Sequence, residues 1–287
     1  MIISKLLYKI LPLKTFSKIR YKYYTYRQNL YKPITEEKFR KILTQKLGIK
    51  TGSVVFIHSS IDFLNTEVPA ERILDILLET VGTEGTLVFP CWHFNSRAEI
   101  YLQKDKVFDL KNSRTVMGVL PEIARLHPKA FRSIHPTTSI LAIGKYAEEL
   151  IQEHHKSIYP CGEMSPYYKM MKYDAIIVGL GVTCHFLSFI HCPEDVLKEK
   201  FPVKTRTDEV FAGKVKLWDD SVITVDTLAA HSNITNRDLP TFVRKYLNKA
   251  TFSQYSVRGS NFFRADSKLL FKRVVELAEK GITIYTG

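Results

Sequence analysis

Short apolar runs alternate with amphipathic stretches along most of the chain. Ser53-Val-Val-Phe-Ile-His58 reads as a short buried strand, with Ser59 and Ser60 directly at its carboxyl end. Pro69 to Val81 predicts a helix that places Ile73, Leu74, Leu77, Leu78 and Val81 on one face. Gly82-Thr-Glu-Gly85 turns into the strand Thr86-Leu-Val-Phe89, which Pro90 stops. Ahead of these, Thr35 to Leu43 predicts an amphipathic helix with Thr35 as N-cap and Gly48 as its end. Val116 to Leu126 and Ala147 to His155 predict helices; Ile140 to Ile143 and Asp174 to Gly179 predict strands. Residues 91–112 are polar and predict a loop over a site. Glu209 to Trp218 alternates like a β-hairpin, Ser267 to Lys280 predicts a helix, and Ile282 to Tyr285 a last strand. Strands and helices alternating at this size favour a layered α/β fold. The expected division is an N-terminal extension, 1–34, and one α/β domain, 35–287.

Composition narrows the class. The 287 residues are 45% hydrophobic and 25% charged, an ordinary globular balance. No apolar run approaches the ~20 residues of a membrane helix. Lys5, Lys9 and Pro12 interrupt the N-terminal apolar run, against a signal peptide. Cys91, Cys161, Cys184 and Cys192 form no CxxC pair, so reduced thiols in a cytoplasmic protein are expected.

Charge is uneven. Residues 1–32 carry eight Lys/Arg and no Asp/Glu, while the whole chain is +13, which leaves +5 for the rest. Tyr8, Tyr21, Tyr23, Tyr24, Tyr26 and Tyr31, six of the fifteen tyrosines, lie in the same segment. With Ile2, Ile3, Leu6, Leu7, Ile10 and Leu11 it suits peripheral contact with an anionic membrane, at the inner face for a cytoplasmic protein. The alternative is an arm packed on its own domain or on a second subunit of a homo-oligomer. No recognition motif supports nucleic acid.

Four stretches could carry chemistry. In Thr183 to Asp195, which follows the predicted strand and Gly179-Leu-Gly181, His191 and Glu194 stand at helical i, i+3 spacing around Pro193. A helix start favours a neutral imidazole, and Glu194 can orient the ring, which is what a general base needs. From spacing alone, a capping histidine is the more ordinary reading. Arg132-Ser-Ile-His-Pro-Thr-Thr-Ser139 is dense in donors that could hold phosphate or amide groups, or is a plain proline turn. His58-Ser-Ser60 stands where α/β sheets line their ligand crevice, or merely ends a strand. Pro160-Cys-Gly-Glu-Met-Ser-Pro166 is a candidate ordered loop. A dinucleotide fingerprint, a P-loop, a zinc motif and a GxSxG elbow are all lacking, so no metal is expected. Cys192 as a thiol nucleophile is disfavoured because it points away from His191 on a helix.

In order, these segments resemble the aminoglycoside 3-N-acetyltransferase family. The matching motifs are His58-Ser59-Ser60, Gly82 to Pro90, Met117-Gly118 with Pro121-Glu122, Arg132 to Ser139, Gly162-Glu163-Met164-Ser165-Pro166, and His191 to Glu194. Similarity runs from about residue 36 and is weakest after residue 200. Six ordered motifs outweigh the capping reading of His191. The resemblance implies a layered α/β/α fold around a mixed central sheet, acetyl-CoA as co-substrate, and acetyl transfer to an amine on a sugar-like ring. It makes His191 the general base, assisted by Glu194. His58, Ser59, Ser60, Arg132, Ser133, His135, Thr137 and Ser139 would hold CoA; Trp92, His93, Glu163 and Asp195 are the expected acceptor contacts. The chain departs from the family in its basic extension and in Cys91-Trp-His-Phe-Asn95, where the family has Thr-Phe-Thr. A basic protein suits an anionic acceptor, so an amino-sugar carried on a nucleotide or lipid in surface-polysaccharide synthesis is expected. The alternatives are a true aminoglycoside acceptor and a non-catalytic scaffold.

Overall fold

The computed structural model describes residues 13–285. Among them, ten strands follow in chain order: β1 (Val54–Ser59), β2 (Thr86–Pro90), β3 (Val107–Asp109), β4 (Ala130–Arg132), β5 (Ile140–Gly144), β6 (Ile176–Leu180), β7 (Arg206–Lys216), β8 (Val222–Ala230), β9 (Phe252–Val257) and β10 (Ser260–Asp266). Seven form one sheet of order β4-β5-β2-β1-β6-β10-β9. Its centre, β2-β1-β6, is parallel, and antiparallel strands flank it on both sides. The sheet is therefore mixed, as expected.

Period-two alternation sorts its side chains onto two faces. Val54, Phe56, Val88, Ile140, Ala142, Ile177, Phe263 and Ala265 meet the helices Ala147–Ile151, Pro166–Lys169, His191–Leu197, Leu239–Tyr246 and Ser267–Ala278. Val55, Ile57, Leu87, Phe89, Leu141, Ile143, Val178 and Phe262 meet Glu36–Lys41, Ala70–Val81 and Val119–Arg125. Both faces are covered, which explains why β1 and β2 read as unbroken apolar runs. The result is the α/β/α layering that the resemblance implied.

Gly179 and Gly181 serve the sheet. A Cβ on Gly179 would stand 2.2 Å from the Phe263 ring, and one on Gly181 (φ 74°) 2.4 Å from the Ser60 carbonyl. The pair lets β6 lie close to β10 and to the end of β1.

Several elements differ from expectation. Residues 91–112 are not a structureless loop: they hold the helix Ala98–Leu102 and β3, which pairs with β7 in a second sheet, β3-β7-β8. Tyr101 and Leu102 bury against Phe211 and Ala229, an anchorage made by residues far along the chain. The 209–218 alternation is the first strand of a hairpin whose turn runs through Asp220 (φ 66°) into β8. Val116 to Leu126 becomes helical only at Val119, after Gly118 at φ 109°. Ile282 to Tyr285 forms no strand; Tyr285 makes an isolated bridge with Arg237. The helix Leu239–Tyr246, capped by Asp238, and the β9–β10 hairpin had no expectation.

The helix Leu13–Asn29 lies on the N-terminal extension, and its Tyr21 ring sits 6.2 Å from that of Phe63. Ile2, Ile3, Leu6, Leu7, Tyr8, Ile10 and Leu11 lie outside the described residues. No helix among the described residues is long and apolar enough to cross a membrane.

Candidate functional site

The carboxyl ends of β1 and β6 lie side by side, with Ser59 registered against Leu180. Ligand crevices of α/β sheets form at such ends. After β6 the chain makes two short helical turns, Cys184–Phe186 and Ser188–Ile190, and enters the helix His191–Leu197. Pro193 fits there because the first turn leaves its amide positions unpaired in any case. The His58 ring nitrogen Nε2 and the Ser188 hydroxyl, 2.9 Å apart, tie the two strand ends together.

His191 Nδ1 stands 2.8 Å from Glu194 Oε2. Glu194 is 2% exposed, and its second oxygen accepts a hydrogen bond of 2.9 Å from the Tyr285 hydroxyl. On the far side of the ring, Arg237 Nη1 donates to His191 Nε2 at 3.3 Å. Arginine can only donate and a carboxylate can only accept. These partners assign the proton to Nδ1 and the lone pair to Nε2, the state of a base. Burial pushes the Tyr285 phenol far above its ordinary range, with Glu194 adding to the shift, so Tyr285 stays a donor.

His191 and Glu194 line a cavity of about 420 Å³ with Trp92, Met117, Thr137, Thr138, Cys161, Tyr167, Ser188, Arg206 and Arg237. The second sheet closes one wall through Leu228 and Ala230, and the 91–112 segment another through Phe94, Asn95 and Ser96. A larger open hollow lies at the β4 edge, lined by Phe131, Lys129, Lys145 and Trp218; it does not include the His191–Glu194 pair. Burial raises the Cys161 and Cys192 thiols, so neither offers a thiolate nucleophile. No group of three His, Cys, Asp or Glu among the described residues could hold a metal ion.

Of the residues expected at the site, His191, Glu194, Trp92 and Thr137 meet at this cavity. The others do not line this cavity. Arg132 is buried and donates to the carbonyls of Leu110, Ser113 and Cys91 and to Ser139 Oγ, while stacking on Phe108. Three of its bonds fix the 91–113 segment. Ser133 is spent on His154 and the Ile140 amide, and Ser139 on the Ser133 carbonyl. His135 is fully buried, stacks on His154, and accepts from the Thr137 and Thr138 amides, so it shapes the turn that presents those threonines. His58 acts one layer behind Ser188, and Ser59 and Ser60 end β1 without lining the cavity. His93 stacks on Phe108 at 4.1 Å and bonds the Tyr101 hydroxyl at 2.7 Å, away from any acceptor. Asp195 is fully buried in a bidentate pair with Arg206 (2.6 and 2.7 Å) and accepts the Cys161 amide. Glu163 faces outward, 4.0 Å from Lys198.

Tyr285, Arg237, Arg206, Tyr167 and Ser188 had no role assigned from sequence. Only Ser188 carried a local signal, three residues before His191. Tyr167, Arg206 and Arg237 reach the cavity, and Tyr285 reaches Glu194, through long-range packing.

A histidine and a buried, doubly held carboxylate stand beside the carboxyl ends of parallel strands on a three-layer α/β scaffold. The sequence model of the aminoglycoside 3-N-acetyltransferase family matches residues 56–279, and the chain belongs to that family. Aminoglycoside N(3)-acetyltransferase IX of Micromonospora chalcea is 28% identical over 186 residues, 59% of this chain and 66% of the relative. Aminoglycoside N(3)-acetyltransferase III of Pseudomonas aeruginosa is 26% identical over 167 residues, 54% and 61% of the two chains. The chain thus spans somewhat under two thirds of the length of these curated relatives. In fold it is similar to the crystal structure of aminoglycoside acetyltransferase AAC(3)-Xa (TM-score 0.74, 20% identity, 92% of this chain and 98% of that one). It is also similar to AAC-IIIb in its binary structure with CoASH (TM-score 0.69, 20% identity, 88% and 99%).

Two outcomes follow from the geometry. Tyr285→Phe removes a donor from Glu194 while keeping the ring; it is expected to shift the pH profile of turnover and to lower kcat more than KM. An unchanged profile would show that Tyr285 only packs. The second concerns acid. Burial holds His58, His93 and His154 down at about 3, and His135 well below its ordinary value. The unfolded chain binds protons at these rings near pH ~6.5, so stability is present above that pH and falls as pH drops below it. The loss is at most ~1.4 kcal/mol per ring per pH unit. Melting temperature measured from pH 7.5 to 5 is expected to decline steadily below about pH 6.5; a flat curve would contradict these assignments.

Proposed function

We propose that the chain transfers the acetyl group of acetyl-CoA directly to an amine on an amino-sugar ring. The observation that carries this reading is the His191–Glu194 pair at the cavity, with Nδ1 of the imidazole committed to the carboxylate and Nε2, which accepts a long bond from Arg237, left as the acceptor nitrogen. The amine nitrogen attacks the thioester carbon. Its proton passes to His191 Nε2, the C–S bond breaks, and the thiol of CoA leaves with that proton. Glu194 stabilises the imidazolium formed on the way, and Tyr285 keeps the carboxylate in place. The raised thiols of Cys161 and Cys192 favour this single transfer over an acyl-cysteine intermediate. CoASH in the AAC-IIIb structure supports the donor, and an intact base pair argues against a scaffold.

The names of the relatives support an aminoglycoside acceptor. One observation favours the second reading, an amino-sugar borne on an anionic nucleotide or lipid diphosphate. Among the described residues lining the cavity, the only carboxylate is Glu194, already engaged on both oxygens, whereas Arg237 is exposed there. Polycations bind where carboxylates gather; a guanidinium beside the base repels them and attracts phosphate.

His191→Ala is expected to lower turnover by ~10²–10⁴ with CoA binding retained; near-normal turnover would remove His191 from the chemistry. Release of CoA thiol, measured with a panel of aminoglycosides and of amino-sugar nucleotides, separates the two acceptors. If the acceptor is anionic, Arg237→Glu raises its KM at least ~10-fold, roughly one charge-assisted hydrogen bond. If it is an aminoglycoside, the same change lowers KM.

A further inference from the structure

We propose that the Tyr167 hydroxyl, with the indole N–H of Trp92, receives the acyl oxygen of the donor and the oxyanion that forms on it. This rests on the acetyl-transfer reading above. Both side chains line the cavity that holds His191, and Tyr167 is fully buried. Neither Tyr167 Oη nor Trp92 Nε1 makes a well-formed hydrogen bond within the protein, though both atoms are buried. Ser188 and Trp92 both stand within weak hydrogen-bonding reach of the phenol oxygen, and the Ser188 hydroxyl also bonds His58, so a ligand oxygen would compete with these loose contacts for the two donors. A buried donor without a well-formed partner is costly, so two such donors on residues that line one cavity call for a ligand group.

The chemistry of the donors selects that group. An indole N–H can only donate, and burial pushes the Tyr167 phenol far above its ordinary range, so it too stays a proton donor. Two donors suit an oxygen that gains negative charge, not an amine, whose proton needs an acceptor. The acceptor in this cavity is His191 Nε2. Attack on the carbonyl carbon forms the N–C bond and moves the C=O π pair onto oxygen, between Tyr167 and Trp92. Collapse restores the C=O bond and expels the thiolate, which takes the proton held on His191. The donors are rigid in advance of the reaction. Tyr167 is in the helix Pro166–Lys169, started by the Ser165 side chain and Pro166, and its ring stands edge-on to Phe56 at 5.4 Å. Preorganised donors are the usual means of stabilising such an oxyanion.

The test uses the carbonyl stretch of ¹³C-labelled acetyl-CoA bound to the full chain carrying His191→Ala, which stops turnover. The bound thioester is expected to absorb at lower wavenumber than the free one. Adding Tyr167→Phe is expected to move it back toward the free value while the Kd for acetyl-CoA changes less than ~3-fold. In the otherwise native chain, Tyr167→Phe is expected to lower kcat by ~10²-fold, in the range for removal of one such donor. Its melting temperature should hold or rise, because the fold loses only an unpaired group. A bound thioester with no red shift, or a red shift that survives Tyr167→Phe, overturns the proposal. Failure of acetyl-CoA to bind at all overturns the transfer reading instead.

Discussion

Everything at this site hangs on one buried carboxylate. Glu194 is nearly inaccessible to water, and an unpaired charge there would cost several kcal/mol. Two donors satisfy it: His191, three residues before it, and Tyr285, 91 residues after it. The carboxylate fixes the imidazole tautomer, and the tautomer decides which nitrogen faces the cavity. Tyr285 also pairs through its backbone with Arg237, and the Asp238 amide donates to the Ile284 carbonyl. The last described residues thus hold the base's carboxylate and the arginine beside the base in one arrangement.

A second buried ion pair plays a parallel part for the walls. Asp195, the neighbour of Glu194, binds Arg206 at the start of β7 and the Cys161 amide. This pair joins the helix His191–Leu197, the second sheet and the Pro160–Pro166 loop. Arg132 performs the same office for the 91–113 segment through three carbonyls. Breaking such a pair strands a buried charge, so these residues are constrained by the fold itself.

That constraint explains what sequence could and could not disclose. The apolar runs of β1 and β2, the periodic helix at 70–81 and the His191–Glu194 spacing are local signals, and they were legible. So was the order of motifs that marks the family. Roles within the motifs were not. Arg132, His135, Ser139 and Asp195 stand in motifs that also contain cavity residues, and a linear pattern cannot separate a side chain that faces a ligand from one that braces the turn behind it. Burial decides this, and burial depends on partners such as Leu110, Cys91 and Arg206. Tyr285 and Arg237 had no signal at all, because their importance comes from where the chain's end returns. The glycines of Gly179-Leu-Gly181 are explained by Phe263 and Ser60, contacts with no trace in the local sequence.

The cavity is divided by hydrogen-bonding character. His191 Nε2 brings an acceptor nitrogen to it, and Tyr167 and Trp92 bring buried donors without a well-formed partner. An amine attacking a carbonyl needs this polarity, an acceptor behind the nitrogen and donors ahead of the oxygen, across one forming bond. Arg237 lies on the lone-pair side, where an acceptor's substituents would pass. On the proposed transfer, reaction type resides in the polarity of the cavity, and acceptor choice in the charge that Arg237 brings to it. The two are carried by different stretches of chain, 167–191 with Trp92 on one hand and the 230–240 segment on the other. A family can keep the first while varying the second.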